Sequence, residues 1–172
     1  MKSQKGIIIS GFGGVGKTYL AKKYKNVIDL ESSPYKYDYS DKPITNYEKL
    51  KGMPNRKLNS DYPLNYIQAI KEATEKYDIV CVRYNGDEPV DFYDTYGLHY
   101  IVCYPTKSAY KKYVMRFKDR GNSKEWIEKN KRLYQIAYER CKKFKGKKIL
   151  LHDNETLEDA LIKRNFNLIP QD

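Results

Sequence analysis

The stretch Gly6–Thr18, GIIISGFGGVGKT, decides the fold. Its first part, GIIIS, is short, β-branched and bounded by glycine, so it reads as a buried strand. Residues Gly11–Thr18, GFGGVGKT, match G-x-x-x-x-G-K-[ST], a loop that cradles phosphates. The match has a physical basis. Glycines let the backbone take positive φ and leave no side chain in the way, so successive N–H groups curl around a polyphosphate. The next residues, KTYLAKKY, read as a helix start, and a helix N-terminus adds favourable positive potential. In this reading Gly11, Gly13, Gly14, Val15 and Gly16 line the phosphates. Lys17 reaches the β- and γ-phosphates, and the Thr18 hydroxyl faces Mg²⁺.

Around this motif the 172-residue chain is expected to form one domain with a real core, so residues 1–172 are read as a single unit. No run is apolar enough to span a membrane, and MKSQK leads into the first strand without a secretory pattern. Cys81, Cys103 and Cys141 are far apart and fit buried, reduced thiols of a cytoplasmic protein. No Cys/His cluster has zinc spacing, and His99 and His152 fall at strand ends, where a structural role is expected of each. The 18 tyrosines accompany a general abundance of Lys, Asn and Ile, which compositional bias alone would produce.

The net charge of +11 is unevenly spread. Between Thr106 and Lys148 sixteen Lys and Arg stand against four Asp and Glu, while the rest of the chain holds seventeen against eighteen. A solvated helix face is the common reason for such a run. The sharper one is an anionic partner, either nucleic acid or the phosphates of a small nucleotide.

Five segments read as strands: Gly6–Ser10, Asn26–Leu30, Asp78–Tyr84, His99–Tyr104 and Lys148–Leu151. Most are continuous and apolar, as expected of a parallel sheet covered on both faces. Helical patterns lie between them: Lys17–Tyr24, Pro63–Lys76 with Ser or Asp of SDYP as cap, and Lys107–Arg120 stopped at Gly121. A longer helix runs from a Ser123 cap to about Lys145, ended by Gly146, and a last one has Thr156 and Asp159 at capping-box spacing. The alternation predicts an α/β domain. Residues 32–60, polar and proline-bearing, are long for a connection and read as a functional excursion containing some short helix.

Candidate site residues sit at strand ends and on one helix. Asp29 and Glu31, two apart on an extended chain, point the same way and would face the crevice at the carboxyl end of a parallel strand. Arg83 ends the third strand, and a buried arginine there would need an anion beside it. Lys112, Arg116 and Arg120 recur every four residues and share one helix face, with Tyr110, Tyr113, Val114 and Phe117 as apolar cover. Arginines on a closing element stabilise charge on a transferring phosphoryl group and exclude water. A GTPase would carry N-K-x-D, absent here; an ATPase motor would end its third strand in an acid, where this chain has Arg83.

The segments GFGGVGKTYLAKKY, VIDLESS, YPLNYIQAI and RFKDRGN together resemble the nucleoside monophosphate kinase group of P-loop kinases, especially small phage-type deoxynucleotide kinases. VIDLES is similar to the D-x-D of shikimate- and gluconate-kinase-like enzymes, with Glu31 in place of the second Asp. RFKDRGN is similar to the arginine-bearing lid of adenylate kinases, and Arg83 to the substrate-phosphate arginine of that group, although the GxPR turn found there is missing. The resemblance implies a three-layer P-loop fold, a central parallel sheet of order 2-3-1-4-5, a helical lid over about 106–130 and phosphotransfer from ATP to a nucleoside monophosphate. It further implies catalytic roles for Lys17, Arg116 and Arg120, an Mg²⁺ site at Thr18 and Asp29, and an acceptor site formed by Asp29, Glu31, Arg56 and Arg83. Two alternatives stand beside it. One is a kinase acting on a polynucleotide end or another hydroxyl, with Asp29 or Glu31 as base. The other is a nucleotide-binding regulator without turnover.

Overall fold

The computed structural model describes residues 4–39, 56–84 and 92–172. Five parallel strands form one sheet: β1 (Ile7–Gly11), β2 (Val27–Leu30), β3 (Ile79–Arg83), β4 (Tyr100–Pro105) and β5 (Lys148–Leu151), in the order β2-β3-β1-β4-β5. Seven helices occur among the described residues: α1 (Lys17–Lys23), α2 (Ser33–Lys36), α3 (Leu64–Lys76), α4 (Phe92–Thr95), α5 (Tyr110–Asp119), α6 (Lys124–Lys143) and α7 (Leu157–Ile162). The architecture is α/β with the expected strand order. None of the described helices is long and apolar enough to cross a membrane.

Hydrophobic burial organises the sheet. Ile8 and Ile9 of β1, Val80 and Val82 of β3 and Val102 of β4 are fully buried, so the central strands have two covered faces. Helix α1 packs on β2, α3 on β3, α6 on β4, and α7 on β5 and α1. Each fully buried Ile or Val contributes about 1.5–3 kcal/mol relative to exposure.

One buried amide fastens the sheet edge. Asn26, just before β2, donates through Nδ2 to Asp78 Oδ2 and to the Asn167 carbonyl, both at 2.8 Å. Its Oδ1 accepts from Ile169 N–H at 2.9 Å. The C-terminal segment is thereby laid beside Tyr24 and Lys25, which adds a short bridge from Tyr24 to Pro170. A buried amide with every partner in place is stabilising where an unsatisfied one would be costly.

Two predicted helix boundaries are corrected. Neither Ser60 nor Asp61 caps α3: Pro63 holds the N-cap position and the helix starts at Leu64 without a side-chain cap. Gly146 does not end α6, which stops at Phe144 in extended backbone. A Cβ at Gly146 would come within 2.5 Å of the Phe144 ring, so its role is to let that ring pack. The Ser123 cap and the Thr156–Asp159 capping box are both formed.

Candidate active site at the phosphate loop

The loop Phe12–Gly16 leaves β1 at the carboxyl rim of the sheet and enters α1. Strand register aligns Gly11 with Arg83 of β3 and with Cys103 of β4, and Phe12 N–H donates to the Cys103 carbonyl at 3.0 Å. Gly14 and Gly16 take positive φ, 87° and 106°. Gly16 is the N-cap of α1 and brings no side-chain acceptor, so the first amides of the helix are left for a ligand. Val15 is buried and anchors the loop, and its carbonyl accepts from Leu157 N–H at 3.1 Å, which ties the loop to α7.

Lys17 arches back over the loop. Its ammonium donates to the carbonyls of Gly11 at 2.9 Å and Phe12 at 3.3 Å. A Cβ on Gly11 would stand 3.0 Å from the Lys17 side chain, so the glycine leaves room for that arch. One residue on, Thr18 Oγ1 donates to Asp29 Oδ2 at 2.6 Å. Asp29 is half-buried on β2 beside Cys81 of β3. Burial pushes the Cys81 thiol up to about 12, with the Asp29 carboxylate adding to the rise and the Lys17 cation opposing it. Both charges therefore act on one thiol of the central sheet. Glu31 follows β2, is exposed, and accepts from Ser33 Oγ at 3.2 Å. Thr18, Asp29 and Glu31 line one pocket that continues along α1 and β2. The two carboxylates thus line one pocket, which runs along α1 and the β2 edge.

Helix α5 closes over the loop. Arg116 donates to the Gly14 carbonyl at 3.2 Å, and its guanidinium lies 4.8 Å from the centroid of the Tyr113 ring. Tyr113 and Phe117, one turn apart, present their rings to Gly14, where a Cβ would meet each at 3.1 Å. Phe12 joins this packing, edge-on to Tyr134 at 5.1 Å and to Tyr113 at 6.3 Å. Burial drives the Tyr113 phenol up to about 12, and Arg116 and Arg120 pull it the other way. Arg120 is the C-cap of α5 and is exposed. Lys112 donates to Asn154 Oδ1, bridging α5 to the loop after β5.

The acceptor side departs from expectation in one respect. Arg83 is exposed rather than buried, because β3 ends there and its side chain leaves the sheet at the rim. Position, not burial, places it next to the loop. Arg56 stacks over the Tyr37 ring at 3.8 Å. Tyr37 pairs with Leu58, and Asp38 N–H donates to the Lys57 carbonyl at 2.9 Å, so the flanks of the 32–60 excursion are held together. Within that excursion α2 supplies the expected short helix; residues 40–55 lie outside the described residues. Tyr66 Oη donates to the last carbonyl of β2, Leu30, and Tyr93 Oη to the last carbonyl of β3, Arg83, both at 2.9 Å. Sequence reading missed these two tyrosines. Composition hid them, and only their positions beyond the strand ends give them a role.

His99 and His152 are exposed strand-end residues whose backbones bond to Gln4 and Glu155. The three cysteines are buried and free. No protein-family model matches this chain, and no curated protein matches it significantly.

Proposed function

We propose that the protein is an ATP- and Mg²⁺-dependent phosphotransferase of the P-loop kinase type, acting in the cytoplasm on a nucleoside monophosphate, a deoxynucleotide in particular. The observation that carries this reading is the convergence of three elements on one rim: Lys17 over the loop, the Thr18–Asp29 pair beside it, and Arg116 on the Gly14 carbonyl. In this reading the loop amides and Lys17 hold the donor polyphosphate. Lys17 exchanges its two loop carbonyls for phosphate oxygens and stabilises the transferring group. Arg116, with Arg120, neutralises charge on that group and excludes water.

The donor set fits Mg²⁺. A hydroxyl and a carboxylate are hard oxygen donors, and Mg²⁺ is held by one or two protein oxygens plus phosphate and water. Thr18 would hold the ion directly and Asp29 through water. When bound, the ion neutralises charge on the β- and γ-phosphate oxygens. Arg83, at the end of β3, and Arg56, stacked on Tyr37, would receive the acceptor phosphate. An acceptor phosphate is already an anionic nucleophile, so no general base is required.

A second reading, transfer to a hydroxyl, is favoured by Glu31 lining the same pocket as Asp29 and Thr18. There Glu31 would take the hydroxyl proton. The test is ADP formation from ATP-Mg²⁺ against a panel of NMPs and dNMPs, with Lys17→Ala as control. Turnover with one or a few monophosphates, lost in the variant, supports the first reading. A flat panel despite ATP binding overturns it, and 5′-hydroxyl oligonucleotides are then the acceptors to try.

A further inference from the structure

Helix α6 carries a stripe of cations that phosphotransfer to a mononucleotide does not use. Lys124, Lys131 and Lys142 are exposed and separated by seven and eleven residues. At about 100° per residue both spacings return to the same side of a helix within roughly 20°. Glu125, Glu128 and Glu139 each precede a basic residue by four positions, Lys129, Arg132 and Lys143, the spacing of helical ion pairs. Glu128, between Lys124 and Lys131, and Glu139, three residues before Lys142, are the two acids within a turn of the stripe, against its three lysines and the basic cluster that follows. Among the described residues Lys124, Lys131 and Lys142 form no ion pair.

The basic run continues past the helix. Lys145, Lys147 and Lys148 are exposed beyond Lys143, the last residue of α6, no acid lies between Lys142 and Lys148, and Lys148 Nζ donates to the Lys142 carbonyl at 2.9 Å. That cluster opens β5, at the rim of the sheet opposite the phosphate loop. The other end of α6 begins beside α5, whose Arg116 touches the loop. Trp126 stands there, 38% exposed and edge-on to Phe117 at 5.1 Å. A helix of 20 residues is about 30 Å long. The cations thus form a track from the far rim to the loop rim, while Trp126, about 200° around the helix from Lys124, lies off the track.

We propose that this flank of α6, with the lysines that follow it, docks the phosphodiester backbone of a nucleic acid. A line of cations with few acids beside it supplies the salt-dependent, sequence-independent contacts of such binding. An anionic membrane fits less well, because Ile127, Tyr134, Ala137 and Cys141 of α6 are buried in the core and its exposed apolar residues, Trp126 and Ile136, stand more than about 100° around the helix from the lysines. The inference stands whichever acceptor the phosphate-loop site uses.

The experiment is fluorescence anisotropy of a labelled oligonucleotide of about 20 nucleotides between about 50 and 200 mM KCl. The full chain is compared with K124E/K131E/K142E, with the neutral K124Q/K131Q/K142Q, and with K5E/K71E/K76E as an equal charge change elsewhere. Matching circular dichroism and thermal midpoints establish that all four are folded. Expected is salt-sensitive binding that falls about tenfold or more in the α6 reversal, less in the neutral variant, with the log–log salt slope shallower by about 2. The control triple is expected to stay within about twofold of the parent at matched salt. No binding at the lowest salt, equal losses in both reversals, or binding to phosphatidylserine vesicles in place of the oligonucleotide would overturn the proposal.

Discussion

Thr18 Oγ1 donates to Asp29 Oδ2 across 2.6 Å, joining the first turn of α1 to the carboxyl half of β2. A hydroxyl that has a carboxylate to donate to keeps its lone pairs turned outward for a cation. Asp29→Asn is expected to raise the Mg²⁺ concentration for half-maximal activity by about 10- to 100-fold, the usual effect of losing a partner behind a metal ligand. Thr18→Ala should do at least as much, and Thr18→Ser should be nearly silent. An unchanged Mg²⁺ titration in Asp29→Asn would remove Asp29 from the site.

Two adjacent glycines of the loop should respond differently to the same change. Gly14→Ala forces a Cβ into positive φ and against two aromatic rings. A non-glycine residue held in that region costs about 1–3 kcal/mol, readable by denaturant unfolding. At Gly13 a Cβ meets nothing within 4 Å. Gly13→Ala should therefore unfold like the parent. Equal destabilisation of the two would contradict the packing of α5 on the loop.

Arg116 and Arg120 share a helix side but not an environment. Arg116 is held against the loop by the Gly14 carbonyl and the Tyr113 ring, whereas Arg120 is exposed. Arg116→Ala should lower kcat by about 10²-fold or more, the scale of a lost preorganised charge donor. Lysine should rescue poorly, since it lacks the planar fork. Arg120→Ala should cost less. Single-turnover rates for the three variants decide the ranking.

The capping box of α7 sets an acid limit. Asp159 Oδ2 accepts from the Thr156 hydroxyl at 2.7 Å and from its N–H at 2.8 Å. The side-chain bond first, then the backbone bond, holds the carboxyl below its ordinary 3.8. A carboxyl depressed by folding contributes stability above its unfolded pKa, and that contribution is lost as pH falls through the folded value. Thr156→Ala should cost about 1 kcal/mol at neutral pH. Asp159→Asn should flatten the acid limb of the stability profile below about pH 4. An acid limb that matches the parent would show that the box does not titrate with folding.

The cysteines should be inert while the protein is folded. Burial pushes the Cys141 thiol up to about 11 and Cys81 to about 12, and Cys103 is raised in the same way. At pH near 8 a thiol reagent should label the native chain slowly and all three residues rapidly in denaturant. Fast labelling of any one of them without denaturant would show local opening of the sheet.

Much of the site was legible because its signals are local. Lys17 and Thr18 are set by motif spacing within a single loop, and the Asp29–Glu31 pair by a period of two at a strand end. Less was legible where burial decides. Arg83 reads as a buried arginine from its place after four apolar residues, yet the strand ends at that residue and its side chain is exposed at the rim. The caps show the same contrast. Thr156 is read from Asp159 three residues on and Ser123 from its place just after the Gly121–Asn122 stop, while the start of α3 depends on how Pro63 meets the preceding turn.

From sequence alone came the alternation of strands and helices, the glycine-rich loop between β1 and α1, and the concentration of charge between Thr106 and Lys148. These rest on short-range periodicity and on charge, which a chain carries before it folds. Tertiary structure decided which distant groups meet: Tyr113 and Phe117 on Gly14, Arg116 on the Gly14 carbonyl, Tyr66 and Tyr93 on the ends of β2 and β3, and Asn26 on the C-terminal segment. Each joins residues well apart in the chain, or an aromatic ring to a bare backbone. No local pattern encodes such a contact, because it forms only when sheet order brings the two surfaces together and buries them.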